Sequence, residues 1–341
     1  MKRTFFFLLA IAMSFSVRAQ DGENVSPVGS LNIVSGGLSI WDNPVNLKTV
    51  SDVDVDIPQA VVDSNYRVHV MIIANQDYVD ECPVETALND GRVMREYCIH
   101  MLGIPEEQVI FKANCTGLQM ERAVKDFARD MEYNSRKEDL FLFFYFGHGT
   151  SSPNMNEDDK YLLPVDGTLA NIGQEGMSLK RIIKEHFEKK KPSRLVIYLE
   201  NSSCRSNIEV YQDRIIALNQ FACHDNQLRS TKTVRSNTAA PSFVLEPVPD
   251  DNFKGNIVVV CASSHNETAY ALSLQNHNVF TYAFLKALKQ SGGDITLGEL
   301  FDNAIEAASN MAWRELRCEQ RPTITASTTL GDAWRLWKLS M

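Results

Sequence analysis

From about residue 66 onwards, short apolar runs alternate with segments whose apolar residues recur at helical spacing. A continuous apolar run bounded by turn residues is typical of a strand buried on both faces of a parallel sheet. Such runs predict strands at 66–74, 108–112, 140–146, 195–199, 256–262 and 322–326. The periodic segments predict helices at 85–102, 119–132, 178–189, 280–288 and 296–312. Strands that alternate with helices predict a three-layer α/β fold, with a mainly parallel sheet of about six strands and helices on both faces.

Two of the predicted helices begin with capping residues. Ser178 is placed to cap the helix at 178–189. Thr296 and Glu299 have the spacing of a capping box, in which the two side chains satisfy each other's backbone amides. These residues fix where the two helices are expected to start.

The first 19 residues have the pattern of a secretory signal peptide. Lys2 and Arg3 form the basic start, residues 5–13 are apolar, and residues 17–19 offer a cleavage site. A membrane anchor is the alternative, but this run is short for a span, and no later segment approaches the roughly 20 apolar residues that a span needs. We therefore predict an exported protein, periplasmic or secreted, without a membrane span.

The remaining chain divides by composition. Residues 20–64 are rich in Ser, Asp, Asn and Gly and lack helical periodicity, which predicts an extended arm with a short strand at 31–34. One domain is predicted from residue 65 to residue 341. Within it, residues 225–252 are polar and contain three prolines, which predicts a long exposed loop.

Charge and cysteine content narrow the functional classes. The formal net charge is −9, without a basic stripe, which argues against nucleic acid or an anionic membrane as a partner. The seven cysteines are an odd number, so at least one thiol stays unpaired in an exported protein. No cysteine or histidine cluster has metal-ligand spacing, so we predict no structural metal and no cofactor. The oligomeric state is left open.

The third apolar run ends directly in a histidine between two glycines, at residues 147–149. In open α/β sheets, ligands bind beyond the carboxyl ends of the strands, and this is where His148 is expected. Gly147 and Gly149 allow a close approach of backbone and substrate. A histidine in an ordinary connecting loop is the alternative interpretation.

The fourth run ends in Glu200 and is followed by Ser202 and Cys204. Two neighbouring parallel strands would bring these residues and His148 together at one edge of the sheet. A nucleophile and its base require that proximity. The sequence lacks the Gly-x-Ser-x-Gly, Gly-x-x-x-x-Gly-Lys and His-Glu-x-x-His motifs of other enzyme classes.

In order and spacing, these segments resemble the caspase-like cysteine peptidases, closest to the bacterial caspase and metacaspase branch. The resemblance covers about residues 66–326 and rests on the segments 87–90, 145–149, 161–166, 198–200 and 279–282. Segments 103–109 and 198–200 also resemble the legumain branch. The resemblance implies a Cys–His dyad that cleaves peptide bonds in a peptide or protein substrate through an acyl-enzyme. It assigns the base to His148 and an oxyanion-binding amide to Gly149; calcium activation is a possibility that the sequence does not indicate.

The sequence departs from this family at the nucleophile. The family cysteine lies two residues after the acid that ends the fourth strand, and this position is Ser202. A thiol is drawn to thiolate beside an imidazole far more easily than a hydroxyl is ionised. Three alternatives follow: a shift of two residues that delivers Cys204, catalysis by Ser202, or a pseudo-peptidase that binds peptides or a partner protein.

Two acids are expected to select the substrate. The resemblance to metacaspases places Asp90 and Glu200 in the pocket for the residue before the scissile bond. Paired carboxylates select Arg or Lys through charge-assisted hydrogen bonds. Legumain-like relatives also have a glutamate at the position of Glu200 yet prefer Asn, so both preferences stay open. The alternative interpretations are a solvated helix carboxylate for Asp90 and a strand-end cap for Glu200.

Overall fold

The structure, a computed structural model, describes residues 50–60, 65–134, 136–151, 159–202, 253–264 and 267–340. For residues 150, 151, 201 and 202 it describes the backbone alone. The predicted signal peptide, residues 20–49 of the predicted arm with its short strand, Cys204 and the loop 225–252 lie outside the described residues. In the part of the chain that is described, no helix is long and apolar enough to cross a membrane.

The strands follow the apolar runs closely. In chain order they are β1 (Val68–Ala74), β2 (Val109–Ala113), β3 (Leu140–Ser151), β4 (Lys160–Leu162), β5 (Met177–Ser178), β6 (Leu195–Ser202), β7 (Ile257–Cys261), β8 (Ala271–Leu272), β9 (His277–Asn278) and β10 (Thr323–Ala326). The main sheet has the order β10-β7-β6-β3-β1-β2, and β4 and β5 pair beside the end of β3. All pairs along this order are parallel except the pair formed by the edge strand β10. The predicted mainly parallel sheet of six strands is confirmed.

The helices also match their predicted segments, except that the short helix at Ile172–Glu175 was not predicted. They are α1 (Ala87–Glu96), α2 (Gly117–Asn134), α3 (Ile172–Glu175), α4 (Leu179–Arg181), α5 (Val279–Ser291) and α6 (Leu297–Met311). Wider π-helical turns extend three of them, at Tyr97–Met101, Ile182–Phe187 and Ala312–Leu316. Short 3-10 turns lie at Glu106–Gln108, Glu188–Lys190 and Gly331–Leu336. The Ser178 cap and the capping box of Thr296 and Glu299 are both present.

The sheet separates two hydrophobic cores because side chains alternate along each strand. In β3, Leu142, Phe144 and Phe146 belong to the core that α1, α5 and α6 cover. The intervening Phe141 and Phe143 belong to the opposite core, with α2 and the helical segment after α4. A strand buried on both faces needs apolar residues at every position, which is why this run is unbroken.

Residues 51–55 pack against the domain, although they belong to the predicted extended arm. Val53 is fully buried, and its carbonyl oxygen accepts a hydrogen bond from the Tyr97 hydroxyl at 3.0 Å. The Lys289 ammonium donates to the carbonyl oxygens of Asp52 and Val55 at 2.8 and 2.6 Å. This segment is therefore fixed to α5 and to the turn after α1.

Candidate active site

His148 lies near the carboxyl end of β3, beside the end of β6. The two strands pair in parallel from Phe141 opposite Leu195 to His148 opposite Ser202. Paired strands are about 4.8 Å apart, so the backbones of these two residues are adjacent. The structure thus brings the predicted base beside the position where the resemblance places the nucleophile. Gly149, the predicted oxyanion donor, is the next residue of β3 and pairs with Leu162 of β4.

A backbone carbonyl orients the His148 ring. The ring is buried, and its Nε2 lies 2.6 Å from the carbonyl oxygen of Cys82. Because a carbonyl oxygen can only accept, we assign the hydrogen to Nε2, so the lone pair of the neutral ring is on Nδ1. The Sγ atom of Cys82 lies 3.8 Å from Nε2, and Cys82 is disulfide-bonded. The contact with the Cys82 carbonyl was not predictable from the sequence, because a backbone atom carries no residue signature.

Two tyrosines hold the backbone of His148. Its amide donates to the Tyr78 hydroxyl oxygen at 2.7 Å, and its carbonyl oxygen accepts from the Tyr145 hydroxyl at 2.7 Å. Burial raises the pKa of Tyr78, which keeps this hydroxyl protonated. A Cβ atom on Gly147 would lie 2.7 Å from the Tyr78 hydroxyl and 2.8 Å from that of Tyr145. Glycine is therefore required at position 147 for these two hydroxyls to approach the strand.

Glu200 is a fully buried acid at the end of β6. Its Oε2 accepts hydrogen bonds from the Thr281 hydroxyl at 2.8 Å and the Tyr198 hydroxyl at 3.4 Å. Its Oε1 has no hydrogen-bond partner among the described residues. Burial, and after it the negative charge of Asp90, raises the pKa of Glu200 well above its usual range. The site therefore favours the protonated acid until a donor or a cation reaches Oε1.

Asp90, on α1, is equally buried but fully engaged. Its Oδ1 accepts from Nδ1 of His277 at 2.6 Å. Its Oδ2 accepts from the Asn278 side chain at 2.9 Å and from the Asn278 amide at 3.2 Å. Burial raises the pKa of Asp90, and these donors oppose that effect. The charge of Asp90 thus acts on Glu200, while a common substrate pocket for the two acids stays a prediction.

His277 lies between two carboxylates. Its ring is fully buried, with Nδ1 facing Asp90 and Nε2 facing Asp54 at 2.7 Å. Burial alone would lower the pKa of His277, but the hydrogen bonds and charges of Asp54 and Asp90 raise it to about 9. Neither His277 nor Asp54 was predicted from the sequence as a site residue. The one available signal was that His277 lies two residues before the segment 279–282, which already resembles the family.

Comparison with known proteins identifies the family. A family model of the caspase domain matches residues 67–333, and the chain therefore belongs to this family. The chain is also similar to Metacaspase-3 from Arabidopsis thaliana, with 21% identity over 240 residues. That alignment covers 66% of this chain and 62% of the relative, so the chain spans less than two thirds of the relative's length. The predicted resemblance to caspase-like peptidases is confirmed, and it supports a peptidase function of the cysteine type.

Proposed function

We propose that the protein is an exported caspase-like endopeptidase that hydrolyses peptide bonds after Arg or Lys. The observation on which this rests is the pairing of His148 with position 202 across β3 and β6. A buried imidazole with one nitrogen fixed by a carbonyl has the other nitrogen set as a base. That arrangement suits proton abstraction from a nucleophile at the end of β6.

The proposed reaction forms and breaks an acyl-enzyme. His148 Nδ1 takes the proton of the nucleophile, which is Cys204 or Ser202, as its sulfur or oxygen attacks the substrate carbonyl. The amide of Gly149 donates to the oxyanion that forms. The imidazolium then returns the proton to the leaving amine, and water hydrolyses the acyl-enzyme with His148 again as the base.

The preference for a basic residue rests on Glu200. An unpartnered buried carboxyl oxygen costs roughly 1–3 kcal/mol, and a donor from a substrate side chain would remove that cost. An arginine or lysine side chain supplies both the donor and the positive charge. This supports Glu200 as the acid of the pocket for the residue before the scissile bond.

Export is supported by two features. The first 19 residues have the pattern of a secretory signal peptide. Cys82 is disulfide-bonded, and disulfides persist mainly in oxidising compartments such as the periplasm or the exterior. Mass spectrometry of the protein recovered outside the cytoplasm should give a mature chain that begins near residue 20. An intact N-terminus would contradict cleavage, and recovery from the cytoplasm alone would contradict export.

The second candidate function is a pseudo-peptidase that binds peptides or a partner protein. Ser202 favours it, because the family position for a thiol holds a hydroxyl. A hydroxyl needs a strongly oriented base to become a nucleophile. The Cys82 carbonyl provides orientation for His148 without the negative charge of a carboxylate.

Fluorogenic peptides with Arg, Lys, Asn or Asp before the reporter distinguish the two functions. The mature protein is assayed with and without a phosphine reductant, because of the Cys82 disulfide. We expect turnover after Arg and Lys, lost in one of the two variants Ser202→Ala and Cys204→Ala and retained in the other. Absence of turnover in the wild type, restored by Ser202→Cys, would establish the pseudo-peptidase.

Self-processing gives an independent test. Relatives of this type are cut between the strand of the nucleophile and the next strand, which here is the loop 225–252. Arg229, Lys232 and Arg235 lie in this loop. We expect the purified protein to convert to two fragments with a new end after one of these residues, and His148→Ala to stop the conversion. An ordinary solvated loop would stay intact, and cleavage that persists in His148→Ala would point to a contaminating protease.

A further inference from the structure

Asp54, His277 and Asp90 form a buried bridge between three distant parts of the chain. Asp54 belongs to the segment before β1, His277 to β9, and Asp90 to α1. Both ring nitrogens face carboxylate oxygens, so both carry hydrogen unless a carboxyl group is protonated. Taking such charges out of water is costly, and an apolar cluster of the same volume is often equally stable. Stability alone therefore does not account for the bridge.

The position of Asp54 is fixed by its own segment. The neighbouring Asp52 accepts a hydrogen bond from the Tyr282 hydroxyl at 2.8 Å, and Val53 is fully buried. On the other side, the Val55 carbonyl oxygen accepts a hydrogen bond from the Lys289 ammonium at 2.6 Å, so the backbone that carries Asp54 to His277 is anchored on both sides. His277 in turn donates a hydrogen bond to Asp90. His277 is therefore a positioning residue, which affects the substrate through Asp90 and Glu200.

The bridge separates the roles of the two acids. Both oxygens of Asp90 are taken by donors of the protein, and one of these donors is an imidazolium. Glu200, in contrast, keeps Oε1 without a partner among the described residues. A side chain that entered this region would meet the Glu200 oxygen, while the charge of Asp90 is compensated at 2.6 Å.

We propose that His277 determines the specificity of the pocket by occupying Asp90, so that Glu200 alone contacts the substrate and the pocket accepts a neutral amide-like side chain as well as a basic one. The proposal rests on the proposed function for the location of the pocket. A protonated carboxyl group offers one donor and one acceptor, which matches a neutral amide or urea group. The ionised group matches a guanidinium or an ammonium. With two uncompensated carboxylates, the pocket would instead favour the cation strongly.

Binding of two peptides that differ in one group tests this without requiring turnover. The peptides end in arginine or in citrulline, whose urea group is neutral and has the shape of the guanidinium. Dissociation constants are measured by calorimetry with the full mature protein, for wild type, Glu200→Gln and His277→Gln. Asp54→Asn/His277→Gln is the second variant, for use if the single variant fails to fold, because it removes the Asp54 carboxylate together with the ring and leaves only Asp90 without its cation. His100→Gln is the matched control, since His100 is half-exposed on the turn after α1.

We expect the wild type to bind both peptides with affinities within about tenfold of each other. A charge within 4–6 Å shifts the balance between the charged and the neutral form of a group by about tenfold or more. Both His277 variants should therefore raise the ratio of arginine-peptide affinity to citrulline-peptide affinity by at least about tenfold. Glu200→Gln should weaken the arginine peptide selectively, and His100→Gln should change neither.

An unchanged ratio in both His277 variants, failure of the wild type to bind citrulline, or failure to bind either peptide would overturn the inference. Binding with the expected ratios but without turnover of any substrate would instead remove the proposed peptidase activity and leave the inference intact. The two failures are therefore distinguishable in the same set of proteins.

Discussion

Two buried histidines, His148 and His277, have contrasting electrostatic surroundings. His148 is 2% exposed and His277 0%. A carbonyl oxygen faces His148 Nε2, whereas carboxylates face both nitrogens of His277. A neutral acceptor decides which nitrogen carries the hydrogen and leaves the other able to take a proton. Two carboxylates instead hold the ring as a cation, so one histidine suits proton transfer and the other suits charge compensation.

The largest expected difference concerns stability. His277→Ala leaves Asp54 and Asp90 without their shared cation, and breaking a buried ion pair in this way costs about 3–5 kcal/mol. His148→Ala leaves the partly buried carbonyl of Cys82 without its donor, which costs at most about 1–3 kcal/mol. Urea denaturation of both variants measures the two values. Equal losses would show that the charges around His277 contribute nothing beyond ordinary hydrogen bonds.

The second expected difference between the two histidines is in the pH dependence of stability. The pKa of His277 is raised from 6.5 to about 9, so its contribution is fully present below pH 6.5 and is lost as the pH rises to 9. This rise in pKa corresponds to a contribution of about 3 kcal/mol to the free energy of unfolding. The difference in unfolding free energy between wild type and His277→Gln should therefore shrink across this range. A difference that stays constant from pH 6 to pH 9.5 would contradict an imidazolium at this position.

Catalysis should depend on the other histidine. His148→Ala should lower turnover of an arginine peptide by at least about a hundredfold, because general acid–base catalysis contributes that much or more. His100→Ala, on the surface, should leave turnover unchanged. Steady-state kinetics with the fluorogenic peptides measures both. Turnover retained by His148→Ala would assign the base to another residue.

The smallest effect is expected at the hydroxyl that holds the His148 backbone. Tyr78→Phe removes the acceptor of the His148 amide and should cost about 1 kcal/mol, since the Tyr145 contact remains. Turnover should fall less than about tenfold. Urea denaturation and kinetics on the same preparation measure these changes. A loss as large as that of His148→Ala would mean that Tyr78 itself takes part in the reaction.

The strands were predictable because burial on both faces leaves an unbroken apolar run. The helices were predictable because their apolar residues recur at helical spacing. The same pattern predicted His148 at a strand end, beside the residues after Glu200. The bridge was not predictable, because Asp54 and His277 are 223 residues apart and Asp54 lies in an acidic segment that looks solvated. Only the fold buries Val53 and thereby brings Asp54 to the ring. The carbonyl of Cys82 was equally hidden, since the backbone is common to every residue.

The uninterrupted pairing of β3 with β6 limits how the chain after Glu200 can shift along β3, because odd-numbered and even-numbered residues of a strand face opposite sides of the sheet. Side chains on a strand alternate with a period of two, so a slip by one residue exchanges the faces and a slip by two restores them. Cys204 and Ser202 have the same parity, and so does Glu200. A shift of two residues would therefore keep every side chain of the strand on its own face of the sheet. Bringing Cys204 instead of Ser202 to the backbone position paired with His148 thus needs a shift by an even number of residues, whereas an odd insertion in β6 would turn Glu200 towards the opposite core.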